Sequence, residues 1–120
     1  MLKFVSQSLS WRFEGGGIIY NVTCNVEHSV SEDWQKYMRE IHIHEVMKCG
    51  IFISAKMNKV LSVNDEGETF AIQYKCNSMK DLHQYEIKFS TELQKKHTDR
   101  YGKKVVAFRT MLEELDKFEN

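Results

Sequence analysis

The fold is decided by residues 51–76, which read IFISAKMNKVLSVNDEGETFAIQYKC. Both ends of this stretch alternate apolar and polar side chains, the period-two pattern of a half-buried strand. Between them, residues 64–67 read NDEG, a typical turn sequence. The stretch therefore predicts a β-hairpin, with a bulge around residues 59–61, where the alternation changes phase.

A strand and a helix are predicted before the hairpin. The strand is IIYNVTCNV, residues 18–26, with one apolar and one mostly polar face. In the following segment, Trp34 and Tyr37 begin an apolar stripe at helical spacing that continues to residue 41. Either Ser29, as the first residue of a capping box, or Ser31 caps this helix, and it ends at Gly50.

A second helix and a fourth strand are predicted after the hairpin. Ser78 caps the helix, which runs to Gly102. Thr91 and Gln94 fit a new capping box, so this region is either one helix or two in series. The segment KKVVAFRTML, residues 103–112, is the last strand.

This order of elements predicts an α+β protein with the ferredoxin-like βαββαβ fold. In that fold four antiparallel strands form one sheet, and both helices cover one of its faces. Residues 18–120 form the single domain. Residues 1–17, which end in Gly-Gly-Gly, are interpreted as an extension that comes from an upstream start codon or from cloning, or as a disordered segment.

The composition of the 120 residues limits the possible functions. The chain has 17 Lys and Arg and 17 Asp and Glu, which argues against a general nucleic-acid-binding protein. No apolar run reaches the length of a membrane span. The three cysteines are widely spaced and odd in number, so we interpret them as reduced thiols of a cytoplasmic protein.

The face of the sheet away from the helices is predicted to be half apolar and half polar, and to carry positive charge. A second copy packed against it would give a dimeric α+β barrel with a semi-polar interior. The positive charges favour a small anionic ligand there. Alternatively, Arg109 pairs with a carboxylate across the interface. The predicted ligand-binding residues are Asn21, Thr23, Ser54, Lys56, Gln73, Lys75 and Arg109, and the apolar positions assigned to the same face are Ile19, Phe52, Val105, Ala107 and Met111.

The segment REIHIHEVMKCG, residues 39–50, contains several possible metal ligands. On a helix, His42 and His44 point to different sides, and Lys48 stands where an HExxH zinc motif needs its second histidine. No metal site is therefore predicted. His42 remains the one candidate catalytic residue, as a proton acceptor near the barrel mouth, or it binds a free carbonyl at the helix end.

The segments IIYNVTCNV, HIHEVMKCGIFISAKM, FAIQYKCNSMKDL and GKKVVAFRTMLE resemble a family of small bacterial proteins, mainly from Bacteroidetes, known as a domain of unknown function. The resemblance covers residues 18–115. It departs from the family pattern at His44, where the family has proline, and Gly17 stands where the family's initial methionine would be. The wider dimeric α+β barrel superfamily, which the fold resembles, implies a homodimer but no particular reaction.

Two functions are compatible with these observations. The first is a homodimer without catalytic activity or cofactor that binds a small, anionic ligand between two sheets. The second is a cofactor-independent monooxygenase-like enzyme, or a haem-associated one, with His42 and Arg109 in its cavity. The sequence favours the first.

Overall fold

The structure of the protein is a computed structural model that describes residues 17–61 and 66–120. Residues 1–16 of the predicted extension and the first half of the predicted turn lie outside the described residues. The strands of the described part form one antiparallel sheet in the order β2-β3-β1-β4. This confirms the predicted ferredoxin-like fold of the α+β class. The strands are β1 Ile18–Val26, β2 Ser54–Lys59, β3 Glu68–Cys76 and β4 Val105–Glu113.

Two helical rods connect the strands, and a π-helical turn interrupts each of them. Such turns insert an extra residue into an α-helix and occur often at functional sites. No helix among the described residues is long and apolar enough to cross a membrane. The first rod consists of α1 His28–Tyr37, a π turn Met38–His42 and α2 Ile43–Lys48. The second rod consists of α3 Met79–Tyr85, a π turn Glu86–Ser90 and α4 Thr91–Tyr101, and a short 3-10 turn Gly102–Lys104 leads into β4.

The hydrophobic core lies between the two rods and one face of the sheet. Val26 and Ile72 of the sheet and Trp34 and Leu82 of the rods are fully buried. Burial of a side chain of this size contributes about 1.5–3 kcal/mol, so this layer supplies much of the driving force for folding. The alternation of buried and partly exposed residues in β1 and β3 shows that the sequence pattern identified the covered face of these strands correctly.

The helix starts agree only in part with the sequence. The Ser78 Oγ atom accepts a hydrogen bond from the Asp81 backbone N–H at 3.1 Å, as expected for a cap. The first rod instead begins at His28, and its N-terminus has no side-chain cap. The predicted caps Ser29 and Ser31 already lie inside the helix. Gly50 and Gly102, where the helices were expected to end, have positive φ angles of 77° and 55°.

The position of Phe52 is a correction to the sequence prediction. Phe52 was expected on the open face, but it is only 5% exposed and packs in the core, with its ring 4.8 Å from that of Tyr85. The Ile53 N–H donates to the Lys75 carbonyl at 2.7 Å, although Ser54 is the residue paired with Lys75. Two residues therefore stand opposite one, which is a β-bulge that shifts the phase of the strand.

The face assignment of β4 is also a correction. Directly paired residues of antiparallel strands share a face, and β1 pairs Cys24 with Ala107 and Val22 with Arg109. One face of β4 therefore belongs to the helix-covered side of the sheet, contrary to the prediction. Its residues there are Val105, Ala107, Arg109, Met111 and Glu113, whereas the open face carries Val106, Phe108, Thr110 and Leu112.

Candidate functional site

Of the seven predicted ligand-binding residues, all except Arg109 lie on the open face of the sheet, as predicted. Ser54 pairs with Lys75, and Lys56 pairs with Gln73, across β2 and β3. The side chains of these two pairs line a groove of about 220 Å³. Ile19 and two residues after the end of β4, Glu114 and Lys117, complete its lining. The Lys75 Nζ atom lies 3.2 Å from Glu114 Oε1, so the side chain of Glu114 already neutralises one of the groove's cations.

Asn21 and Thr23 lie on the same face but outside the groove. The Asn21 amide donates to the hydroxyl oxygens of Thr23 at 3.1 Å and Thr110 at 3.3 Å. These bonds run along β1 and across to β4. The side-chain N–H groups of Asn21 are therefore already engaged in hydrogen bonds on the surface of the sheet.

Arg109 lies on the opposite side of the sheet, at a cavity between the sheet and the two helical rods. This space, called the inner cavity below, measures about 40 Å³. Arg109 is exposed because β4 is an edge strand that the rods leave partly uncovered. The inner cavity is lined by Tyr20, Val22, Cys24, Met38, His42, Val46, Ile72, Tyr74, Tyr85, Leu93, Gln94, His97, Ala107 and Arg109.

His42 is the residue in the inner cavity whose polar atoms are least satisfied. It is the last residue of the first π turn, and its Nδ1 atom is buried with no hydrogen-bond partner among residues 17–61 and 66–120. Burial, and then the neighbouring His97, lower the pKa of His42 to about 4. The imidazole is therefore neutral at neutral pH. A buried polar atom without a partner is costly, so this nitrogen is a candidate to bind a polar group of a ligand.

His97 faces His42 across the inner cavity, with ring centroids 5.7 Å apart. Its Nε2 atom accepts a hydrogen bond from the indole N–H of Trp34 at 2.9 Å. Burial, and then the charge of Arg109, lower the pKa of His97 as well. Both histidines of the inner cavity are thus held in the neutral form.

The sequence analysis did not identify His97 as a candidate site residue, although it lines the inner cavity. The signal was present, because His97 follows the core residue Leu93 by four positions and precedes the core residue Tyr101 by four. Residues at this spacing share one face of a helix, so His97 belongs to the buried side of α4. Gln94, one position after Leu93, also reaches the inner cavity.

The hydroxyl and thiol groups of the inner cavity are protonated at neutral pH. Burial raises the pKa of the Cys24 thiol to about 11 and that of the Tyr85 phenol above its ordinary range. Burial also raises the pKa of Tyr20, against the opposing charge of Arg109 and hydrogen bonds from Arg109 and Gln94. A protonated thiol or phenol is a poor nucleophile.

The described residues contain no group of three or more His, Cys, Asp and Glu side chains that could hold a metal ion. His44 is exposed and lines a different groove, with Arg39 and Lys56. His42 and His44 are thus separated by the helix, as their spacing predicted.

Solved structures with the same fold are similar to this chain. A conserved protein of unknown function from Bacteroides thetaiotaomicron, described as a possible oxidoreductase, has a TM-score of 0.61 and 15% identity, over 82% of this chain and 98% of that one. An ethyl tert-butyl ether d (EthD) family protein from Bacillus halodurans has a TM-score of 0.59 and 8% identity, over 78% and 96%. A dimeric ferredoxin-like protein from an uncultured marine organism has a TM-score of 0.58 and 11% identity, over 86% and 99%.

At these identities the likeness establishes the fold and nothing about the reaction. A search of curated proteins found no match. The model of one sequence family matches residues 17–115, which include every strand and helix of the structure. The chain therefore belongs to the family described as a domain of unknown function, DUF4286.

Proposed function

We propose that the protein is a homodimer that binds a small anionic molecule in the inner cavity. The observation that carries this proposal is the buried Nδ1 atom of His42, which has no hydrogen-bond partner among the described residues, in a cavity that Arg109 also lines. Ligand sites are typically concave and mainly apolar, with a few converging polar groups. The inner cavity has this composition.

The charge of the inner cavity favours an anion. An arginine side chain is a cation, and the described residues that line the cavity include no Asp or Glu. The predicted anionic ligand is therefore kept, but its proposed position moves from the open face to the covered one. The original prediction rested on the positive charges of Lys56, Lys75 and Arg109; of these, Arg109 lies on the covered side and Lys75 is paired with Glu114.

The size of the inner cavity limits the part of the ligand that enters it. A single water needs about 10–15 Å³, so a volume of about 40 Å³ accepts a head group of a few atoms. The rest of a larger ligand would extend past the exposed Arg109 at the edge of the sheet. A porphyrin is far larger than this space, so the residues present do not fit a haem.

An enzyme of the cofactor-independent monooxygenase type is the second candidate. One similar structure is described as a possible oxidoreductase, and His42 faces the inner cavity instead of bulk solvent. Against it, the neutral His42 is a weak base, and the Cys24 thiol is protonated at neutral pH. We therefore favour binding without catalysis.

The homodimer and the cellular location belong to the same proposal. The open face exposes Val106, Phe108 and Leu112, and a similar structure is described as dimeric. Such a surface is typical of a protein–protein interface. The three free cysteines support a cytoplasmic location, and the segments IIYNVT and VAFRT support a bacterial, Bacteroidetes-type origin.

Titration with sodium propionate, followed by the amide signals in NMR spectra, tests the binding proposal. Propionate should give saturable shifts at Ala107, Arg109 and His97 at millimolar concentration. Arg109→Gln removes a charge-assisted hydrogen bond and should weaken binding about tenfold. Arg39→Gln, which removes a cation from a different groove, should leave the affinity unchanged. Equal binding by the two variants, or shifts only at Lys56 and Lys75, would overturn the proposal.

A further inference from the structure

We propose that Trp34 fixes His97 as a hydrogen-bond donor toward the ligand, and that this makes the inner cavity select a carboxylate over the neutral amide of the same shape. The proposal rests on ligand binding in the inner cavity. It names a positioning residue, Trp34, and a specificity-determining residue, His97.

The tautomer of His97 follows from its contact with Trp34. An indole N–H can only donate, so the Nε2 atom that it contacts at 2.9 Å must carry a lone pair. In a neutral imidazole the proton is then on Nδ1. Because Trp34 is fully buried, loss of this bond would leave its N–H buried with no acceptor among the described residues, which is costly. The fold therefore holds His97 in the Nδ1–H form.

Arg109 also presents donors to the inner cavity. The guanidinium of Arg109 has five N–H groups and no acceptor. Gln94 also lines the cavity, and its amide offers both N–H donors and an acceptor oxygen. The part of the chain that the structure describes contributes no carboxylate to the lining, and a carboxylate would accept from an amide ligand.

A carboxylate presents two acceptor oxygens to these donors, whereas a primary amide presents one oxygen and an N–H₂ group. Next to Arg109 and His97 the amide nitrogen would face donors, and a polar mismatch in a desolvated site costs more than the loss of a van der Waals contact. We expect propionate to bind at least about tenfold more tightly than propionamide. The neutral ring of His42 has one acceptor nitrogen, which could accept from the N–H₂ group of the amide, so the preference for the carboxylate is limited.

Two measurements on the wild-type protein test the proposal directly. Nitrogen-15 NMR of the imidazole rings at pH 7 should show His97 with a protonated Nδ1 and an unprotonated Nε2. The opposite tautomer would refute the assignment without any ligand. Parallel titrations with propionate and propionamide measure the selectivity. Equal affinities would overturn this inference and leave the proposed function intact, whereas no binding of either probe would overturn both.

A pair of variants separates positioning from general packing. Trp34→Phe removes the indole N–H and should reduce the ratio of the two affinities toward one, with mixed tautomers at His97. Tyr37→Phe alters another ring packed against His97, at 6.4 Å, without touching the Trp34 bond, and should keep the wild-type ratio. Wild-type selectivity in a folded Trp34→Phe would contradict the role of Trp34. If Trp34→Phe does not fold, the His97 tautomer measured by NMR in the wild-type protein is the test of the proposal.

Discussion

The protonation of His42 links the inner cavity to the stability of the protein. The pKa of His42 in the folded protein is about 4, below its ordinary value of 6.5, mainly because of burial. His97, Arg109 and Lys96 lower it further, and Glu45 opposes them. The unfolded chain therefore takes up the proton first as the pH falls. The stability that depends on a neutral His42 is fully present above about pH 6.5 and is lost as the pH falls toward 4.

When the pH is lowered from 7 to 5, we expect His42 to reduce the free energy of unfolding of the wild-type protein by at most about 2 kcal/mol. His42→Phe cannot take up the proton and should lose that much less over the same interval. Urea unfolding at both pH values measures the difference. The carboxylates are common to both proteins, so their contribution to acid sensitivity cancels.

A control variant removes a histidine from the surface. His83 is exposed on the second rod, and His83→Gln should unfold with the pH dependence of the wild type. An unchanged pH dependence in His42→Phe would show that the imidazole is solvated in the folded state. In that case the buried, unpartnered Nδ1 atom would no longer support a ligand site.

At the scale of the helices, the two rods should respond differently to loss of a serine near their N-termini. Ser78 caps the second rod through its bond to the Asp81 N–H, so Ser78→Ala should reduce the unfolding free energy by about 1 kcal/mol. Ser29 is exposed within the first turns of the first rod, where it makes no capping bond. Ser29→Ala should change stability by less than about 0.5 kcal/mol. Denaturant midpoints of both variants check this, and equal losses would contradict it.

The elements themselves could be predicted because their periodicities are strong. The faces of β1 and β3 follow from one clear alternation each. In β4, Val105, Val106, Ala107 and Phe108 are apolar at both parities, so the period of two does not say which set faces the helices. Only pairing with β1 fixes the face, and pairing is a property of the assembled sheet.

The inner cavity could not be predicted because it depends on gaps in packing. Phe52 reaches the core through a bulge that is visible only in the backbone hydrogen bonds. Arg109 reaches the cavity because the rods leave the edge strand partly uncovered. His97 is different, since its helical spacing from Leu93 indicates the buried side. The charged residues at positions 96, 100, 103 and 104 around it are typical of a solvent-exposed segment, so composition alone does not distinguish His97.

At the scale of the whole molecule, the open face of the sheet carries an exposed apolar stripe along β4. Phe108 is 66% exposed there, and Val106 and Leu112 are 49% and 43% exposed. They alternate along one side of β4, so a second copy can cover them together. The same packing would bring the lysines of the open-face groove next to the partner's sheet, where the Lys75–Glu114 pair reduces the cost of their burial.

This arrangement predicts that a charge at the centre of the apolar stripe separates the subunits. Phe108→Glu would bury an unpaired carboxylate at about 3 kcal/mol or more, which weakens association about 100-fold. Light scattering after size exclusion should give the dimer mass for the wild type and the monomer mass for the variant. Ile87→Glu places the same charge on an exposed apolar residue of the second rod, 78% exposed, and should stay dimeric. A monomeric wild type, or dissociation of Ile87→Glu alone, would show that the open face is not the interface.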